Sequence, residues 1–129
     1  YHDIGKRNNP SYFSENQLTG VNPHDELNSK ESVRIILDHV IQGIEIARKY
    51  NIPERVIDFI RTHHGTSLVY YFYNKDLKLE IKPDEKDYMY GGPKPFSKET
   101  AIVMMCDGVE AASKSLKNPD FVKINEFVK

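Results

Sequence analysis

Apolar residues return at helical spacing along much of the chain. From about Ser32 to Tyr50, Val33, Ile36, Leu37, Val40, Ile41, Ile44 and Ala47 recur every three or four positions, which predicts an amphipathic helix. Asn28 or Ser29 can cap it. Asn51-Ile52-Pro53 breaks the pattern and starts a second helix, which runs to about His63 or His64 and stops at Gly65. Residues 67–80 read two ways: aromatic and β-branched content favours a strand, while an all-helical neighbourhood favours a helix. Helix is the choice made here. A loop over 82–96, holding Gly91-Gly92-Pro93, leads to Ser97, which caps a last long helix from Lys98 to about Lys117. Residues 8–31, rich in Asn, Ser, Pro and Gly, read as an ordered loop with short turns, and a short final helix follows Asn118-Pro119. The pattern predicts an all-α domain without a sheet.

Composition narrows the class. With 129 residues, 39% of them hydrophobic, the chain can bury one core. Its 18 basic and 19 acidic residues leave a net charge of −1, which offers no electrostatic footprint for DNA or RNA. The lone Cys106 excludes an internal disulfide and a Cys-based zinc ribbon, and suits a reducing compartment. No apolar run approaches the ~18 residues of a membrane span.

A helical wheel at about 100° per residue shows where the chemistry lies. On the first helix Arg34, Asp38, Gln42 and Glu45 form the polar face, while His39 falls opposite, beside Gly43, which leaves space for its ring. On the second, Arg55, Asp58, Arg61 and Thr62 share the wet face, and His63 and His64 straddle Val56 and Ile60. On the last, Asp107 edges the apolar stripe beside Met104 and Ala111. The chain also opens with His2-Asp3. Each group has an ordinary explanation: a hydrogen-bonded core histidine, a helix end, an aspartate paired with Lys114. Together they demand several independent burials of titratable groups in one small domain, whereas bound metal accounts for them all. Four histidines and two aspartates without thiolates form a nitrogen and oxygen set suited to iron, manganese, zinc or a similar ion. Asp3 can bridge two ions, and two-metal sites activate water for attack on phosphorus. Phosphoester hydrolysis is the expected reaction class.

The motifs carry a resemblance. HDIGK at 2–6, NPHDELNSKES at 22–32, ILDHVIQGIEIA at 36–47, FIRTHHGTSLVYYFY at 59–73 and the stretch from Gly91 to Leu116 resemble the HD superfamily of metal-dependent phosphohydrolases. The likeness is to the cytoplasmic HD domain of the seven-transmembrane HD-domain receptors, and it covers nearly the whole chain. It implies a helical HD bundle and hydrolysis of a cyclic dinucleotide, foremost cyclic di-AMP to linear pApA, by a two-metal-activated hydroxide. The implied ligands are His2, Asp3 and Asp107 for one ion, and Asp3, His39, His63 and His64 for the other, with iron or manganese the foremost metals. A further upstream histidine and its helix, implied for the first ion, have no counterpart in the sequence. The expectation is therefore an N-terminally truncated bundle with reduced metal occupancy and exposed apolar surface. Lys6 is implied near the substrate phosphate and in catalysis beside Asp3. The parent would be membrane-embedded with this domain in the cytoplasm, and dimerisation stays open.

Other residues rest on weaker signals. Thr66 can offer a hydroxyl. In the run from Tyr70 to Tyr73 the rings can stack an adenine or pack in the core, and Tyr70 and Tyr73 are the substrate-binding choices. His24, within PHDEL, reads as a loop or cap residue. Two other functions stay open: a cyclic di-GMP or generic nucleotide phosphohydrolase, although HHGTSLVYYF departs from the HD-GYP pattern, and a non-catalytic dinucleotide sensor.

Overall fold

The computed structural model describes residues 1–17, 22–79, 82–114, 116 and 120–128. Among these the chain is helical: α1 Ser29–Lys49, α2 Glu54–Thr62, α3 Tyr70–Lys78, α4 Lys98–Ser113 and α5 Phe121–Val128, with four short 3-10 turns before α1 and one, Glu85–Tyr88, between α3 and α4. No strand is formed among the described residues, in keeping with the all-α expectation. α4 ends at Ser113 with Lys114 as its cap, short of the predicted Lys117, and the Asn118-Pro119 break lies outside the described residues.

Local chemistry sets the ends of these helices. Asn28 accepts from the Glu31 N–H, and Glu31 accepts from the Asn28 N–H; this capping box starts α1 three residues before the apolar pattern does. Ser97 and Thr100 form the equivalent box for α4. Asn51, in the left-handed region at φ 53°, ends α1, and Gly65, also at φ 53°, turns the chain after α2. α2 stops at Thr62, so His63 and His64 lie on the exit turn and not on the helix.

The ambiguous segment divides. Leu68 pairs with Met89 in an isolated antiparallel bridge. Around it Val69 N–H donates to the Tyr88 carbonyl (2.8 Å) and Tyr90 N–H to the Ser67 carbonyl (3.0 Å). The chain then turns helical at Tyr70. Both signals in the sequence were real, for adjacent stretches.

Two apolar clusters flank the middle of α1. Val33, Phe72 and Tyr88, with Leu37 and Tyr73 against them, make one. Ala47, Ile57 and Ile60, with Ile4 and Ile44, make the other. His39 lies between them along the helix, 1% exposed. Buried Asp76 accepts from Ser29 Oγ and from Tyr88 Oη, tying α3 to the start of α1 and to the loop before α4.

The wheel misplaced some side chains. Thr62, assigned to the wet face, is fully buried, its hydroxyl donating to the Asp58 carbonyl at 2.6 Å. Ile41, assigned to the apolar stripe, is 59% exposed. On α4 Ile102, Met105 and Cys106 are exposed and only Thr100 is buried. Tyr73 is half-buried against the first cluster, its ring 5.5 Å from that of Tyr88.

Candidate metal centre

The opening residues Tyr1-His2-Asp3 enter a 3-10 turn, Ile4–Asn8, laid against α1. Gly5 permits the approach: a Cβ there would fall 1.8 Å from the His39 carbonyl oxygen and 2.7 Å from the Gly43 nitrogen. The room at Gly43 is therefore taken by Gly5 and Ile60, not by the His39 ring. The contact brings His2-Asp3 over the middle of α1. The exit turn of α2 brings His63 and His64, and α4 brings Asp107.

The six residues meet in two groups whose ligand atoms lie within 4.8 Å of one another: Asp3, His39, His63 and His64; and His2, Asp3 and Asp107. These are the two sets that the resemblance implies. Asp3 belongs to both, one oxygen to each side. Oδ1 lies 3.5 Å from His39 Nε2 and 3.4 Å from His63 Nε2, while Oδ2 lies 3.4 Å from His2 Nε2 and 2.8 Å from Lys6 Nζ. Asp107 spans the groups as well, at 3.4 Å from His2 Nε2 and 3.7 Å from His64 Nδ1.

The hydrogen bonding fits a cation. His39 Nδ1 faces the Ile36 carbonyl, and His63 Nδ1 faces the Ile60 carbonyl at 2.8 Å. A carbonyl only accepts, so each Nδ1 carries the proton. The Nε2 atoms of the two rings lie 3.2 Å apart. Asp3 Oδ1, buried and without a hydrogen-bond partner, adds a third acceptor at the same point. A cation among these three atoms would take a lone pair from each, and backbone-held imidazoles are how proteins aim such ligands.

The field is consistent with this. Burial works against ionised Asp3, but His2, His39, His63 and Lys6 outweigh it and hold the carboxyl far below its usual range. Hydrogen bonding to Asp107, then to Asp3, raises His2 to about 9. Burial, with His63 and His39 adding to it, lowers His64 to about 3, so its ring is neutral.

Surrounding side chains complete the site. Lys6, bonded to Asp3, also meets Glu15 Oε1 at 2.6 Å and lies over the Phe13 ring, 5.2 Å from its centroid. Tyr90 stacks on His64 at 4.2 Å and 22°. Sequence reasoning missed Phe13, Glu15 and Tyr90, which come from irregular loops where no periodicity marks a side chain's direction. Asp107 pairs with histidines, while Lys114 pairs with Glu110 at 2.7 Å. His24 lies outside both groups, buried against Tyr12 and Phe72, with Nε2 2.9 Å from the Tyr12 carbonyl. Thr66 is outside them too, its Cγ2 turned toward Gly92. Tyr70 is 68% exposed on an outer groove with Lys75 and Lys78, away from the donors.

An all-helical fold that gathers histidines and aspartates about a His-Asp pair defines a class, and the HD domain family model matches residues 1–112. The chain belongs to the HD domain family, whose phosphohydrolases are metal-dependent. It is 48% identical over 128 residues to the cyclic-di-AMP phosphodiesterase PgpH of Listeria monocytogenes, covering 99% of this chain and 18% of that protein. To the Bacillus subtilis protein of the same name it is 43% identical over 129 residues, covering 100% of this chain and 18% of the relative. The chain thus spans under a fifth of these curated relatives. The crystal structure of the L. monocytogenes PgpH HD domain in complex with cyclic-di-AMP superposes with a TM-score of 0.92, at 48% identity, over 99% of this chain and 60% of that one.

Proposed function

We propose that this HD domain hydrolyses a phosphodiester of a cyclic dinucleotide, cyclic di-AMP foremost, with two divalent ions, iron or manganese. The observation that carries the reading is the convergence of the His39 and His63 Nε2 atoms on the unpartnered Oδ1 of Asp3, whose other oxygen faces His2. His39, His63, His64 and Asp3 would hold one ion; His2, Asp107 and Asp3 would hold the other. When bound, such a pair supplies water activation at neutral pH and neutralises charge developing on phosphorus. The chain's own residues do the rest. Asp3, with one oxygen toward each group, would serve both positions. Lys6 holds Asp3 in that orientation and leaves ammonium donors beside the place where a phosphoryl oxygen would lie. Tyr90 and Phe13 exclude water from one side of His64 and His39. The names borne by the relatives support the choice of substrate.

No helix among the described residues is long and apolar enough to cross a membrane. The reading places the domain on the cytoplasmic side of a membrane-embedded parent, as the resemblance implies. It is tested by assaying the chain, supplied with manganese or iron, on cyclic di-AMP and cyclic di-GMP in parallel. Linear product from cyclic di-AMP is expected, and Asp3→Ala should lower turnover at least a thousandfold with loss of bound metal. Tight binding without product would replace the enzyme by a sensor.

A further inference from the structure

Two open grooves reach the donor groups, and both are lined by Lys6 and Glu15. One, about 610 Å³, runs along α4 with an aliphatic wall of Ile102, Val103 and Cys106. The other, about 410 Å³, passes His39 and His64 and is walled by rings, among them Phe13, Tyr71 and Tyr90. Both volumes suit a small-molecule site of about 300–1,000 Å³.

Most rings of the second groove already have an occupation. Phe13 is buried edge-on to His39 at 5.5 Å, and Phe72 belongs to the core. Tyr90 spends a face on His64. Tyr71 differs. It is 71% exposed, and its ring contact is an edge contact with Phe72 at 5.0 Å and 90°. A large, open aromatic face therefore stands at the wall of the groove that leads to the metal donors. Its neighbour Tyr70 lines only the outer groove, which Tyr71 borders as well, and Tyr73 is half-buried against the core.

We propose that Tyr71 is the base-stacking platform of this site and takes one adenine of a cyclic dinucleotide whose scissile phosphodiester lies at Lys6 and Asp3. The inference rests on the functional reading above. Stacking on an aromatic face accepts any base, so Tyr71 supplies affinity for a nucleobase as such and does not choose adenine over guanine.

The test compares steady-state hydrolysis of cyclic di-AMP by the manganese-loaded chain and by Tyr71→Ala, Tyr71→Leu, Tyr71→Phe and Tyr70→Ala. Stacking on substrate and transition state alike predicts a KM raised about 5- to 150-fold in Tyr71→Ala with kcat unchanged. Tyr71→Leu, which keeps apolar bulk without a π face, should behave as Ala; Tyr71→Phe and Tyr70→Ala should stay within twofold of wild type. A wild-type KM in Tyr71→Ala, or a Phe variant as impaired as Ala, overturns the platform. Bis(4-nitrophenyl) phosphate, a phosphodiester without bases, separates two failures. Wild-type chain that cleaves it but no cyclic dinucleotide overturns the functional reading and the platform together. Cyclic di-AMP cleaved equally well by wild type and Tyr71→Ala overturns the platform alone.

Discussion

His2 and His64 are the same residue type at one site with opposite proton affinities. His2 sits between two carboxylates, and its hydrogen bond to Asp107 is the largest influence raising it to about 9. His64 is half-buried among other imidazoles, and desolvation lowers it to about 3. At pH 7 the metal-free protein therefore holds a proton on His2 and none on His64. A cation needs the neutral ring, so loading the His2 position expels that proton. Apparent affinity at this position should rise about tenfold per pH unit from neutral pH and level off near pH 9. Calorimetry of manganese binding in buffers of different ionisation enthalpy reads the proton directly; heats independent of buffer would contradict the assignment. Such opposition was invisible in the sequence, because it depends on how deeply each ring is buried and on which groups the fold sets beside it.

The elements contribute placement. The turn Ile4–Asn8 carries Asp3 to α1 only because Gly5 and Gly43 let two backbones touch. Gly5→Ala would drive a methyl into the His39 carbonyl, so the turn must lift. Forced overpacking of this kind costs about 1–3 kcal/mol. The expected outcome is a melting temperature lower by roughly 3–10 °C, with a loss of bound manganese in elemental analysis greater than Gly43→Ala produces. In Gly43→Ala the closest atom to the new methyl is the Ile60 Cγ2 side-chain carbon at 2.9 Å, which can shift. Helix positions were legible because an amphipathic period and a capping box are local. The limits of that logic are visible at Thr62 and Ile41, where neighbouring elements and not the wheel set burial. They are visible again at Ser67–Lys78, where backbone pairing with Tyr88 and Tyr90 around the Leu68–Met89 bridge claimed the first residues and left the remainder helical.

At the scale of the whole molecule, the donors come from four separate places: the opening turn, α1, the exit of α2 and α4. These places converge only when the chain is folded, so an ion held by all of them favours the folded state. A metal that binds the folded chain alone should stabilise it by about 2.7 kcal/mol at a free concentration a hundredfold above Kd. Thermal melts should therefore rise with manganese and fall back with EDTA, whereas magnesium, which prefers oxygen ligands, should do less. A melting temperature indifferent to manganese would remove the metal from the description. The sequence by itself determined the helical class, the helix start at Ser97, a first cap at Asn28 or Ser29, and the residue types of the donor set, since periodicity, capping and ligand chemistry are properties of short stretches. Only the tertiary structure decided that Asp3 turns one oxygen to each donor group, that Tyr90 backs His64, and that of the two exposed tyrosines Tyr70 and Tyr71 it is Tyr71 that lines the donor groove. Each of those depends on contacts between residues distant in the chain, and no local pattern encodes the angle at which two elements meet.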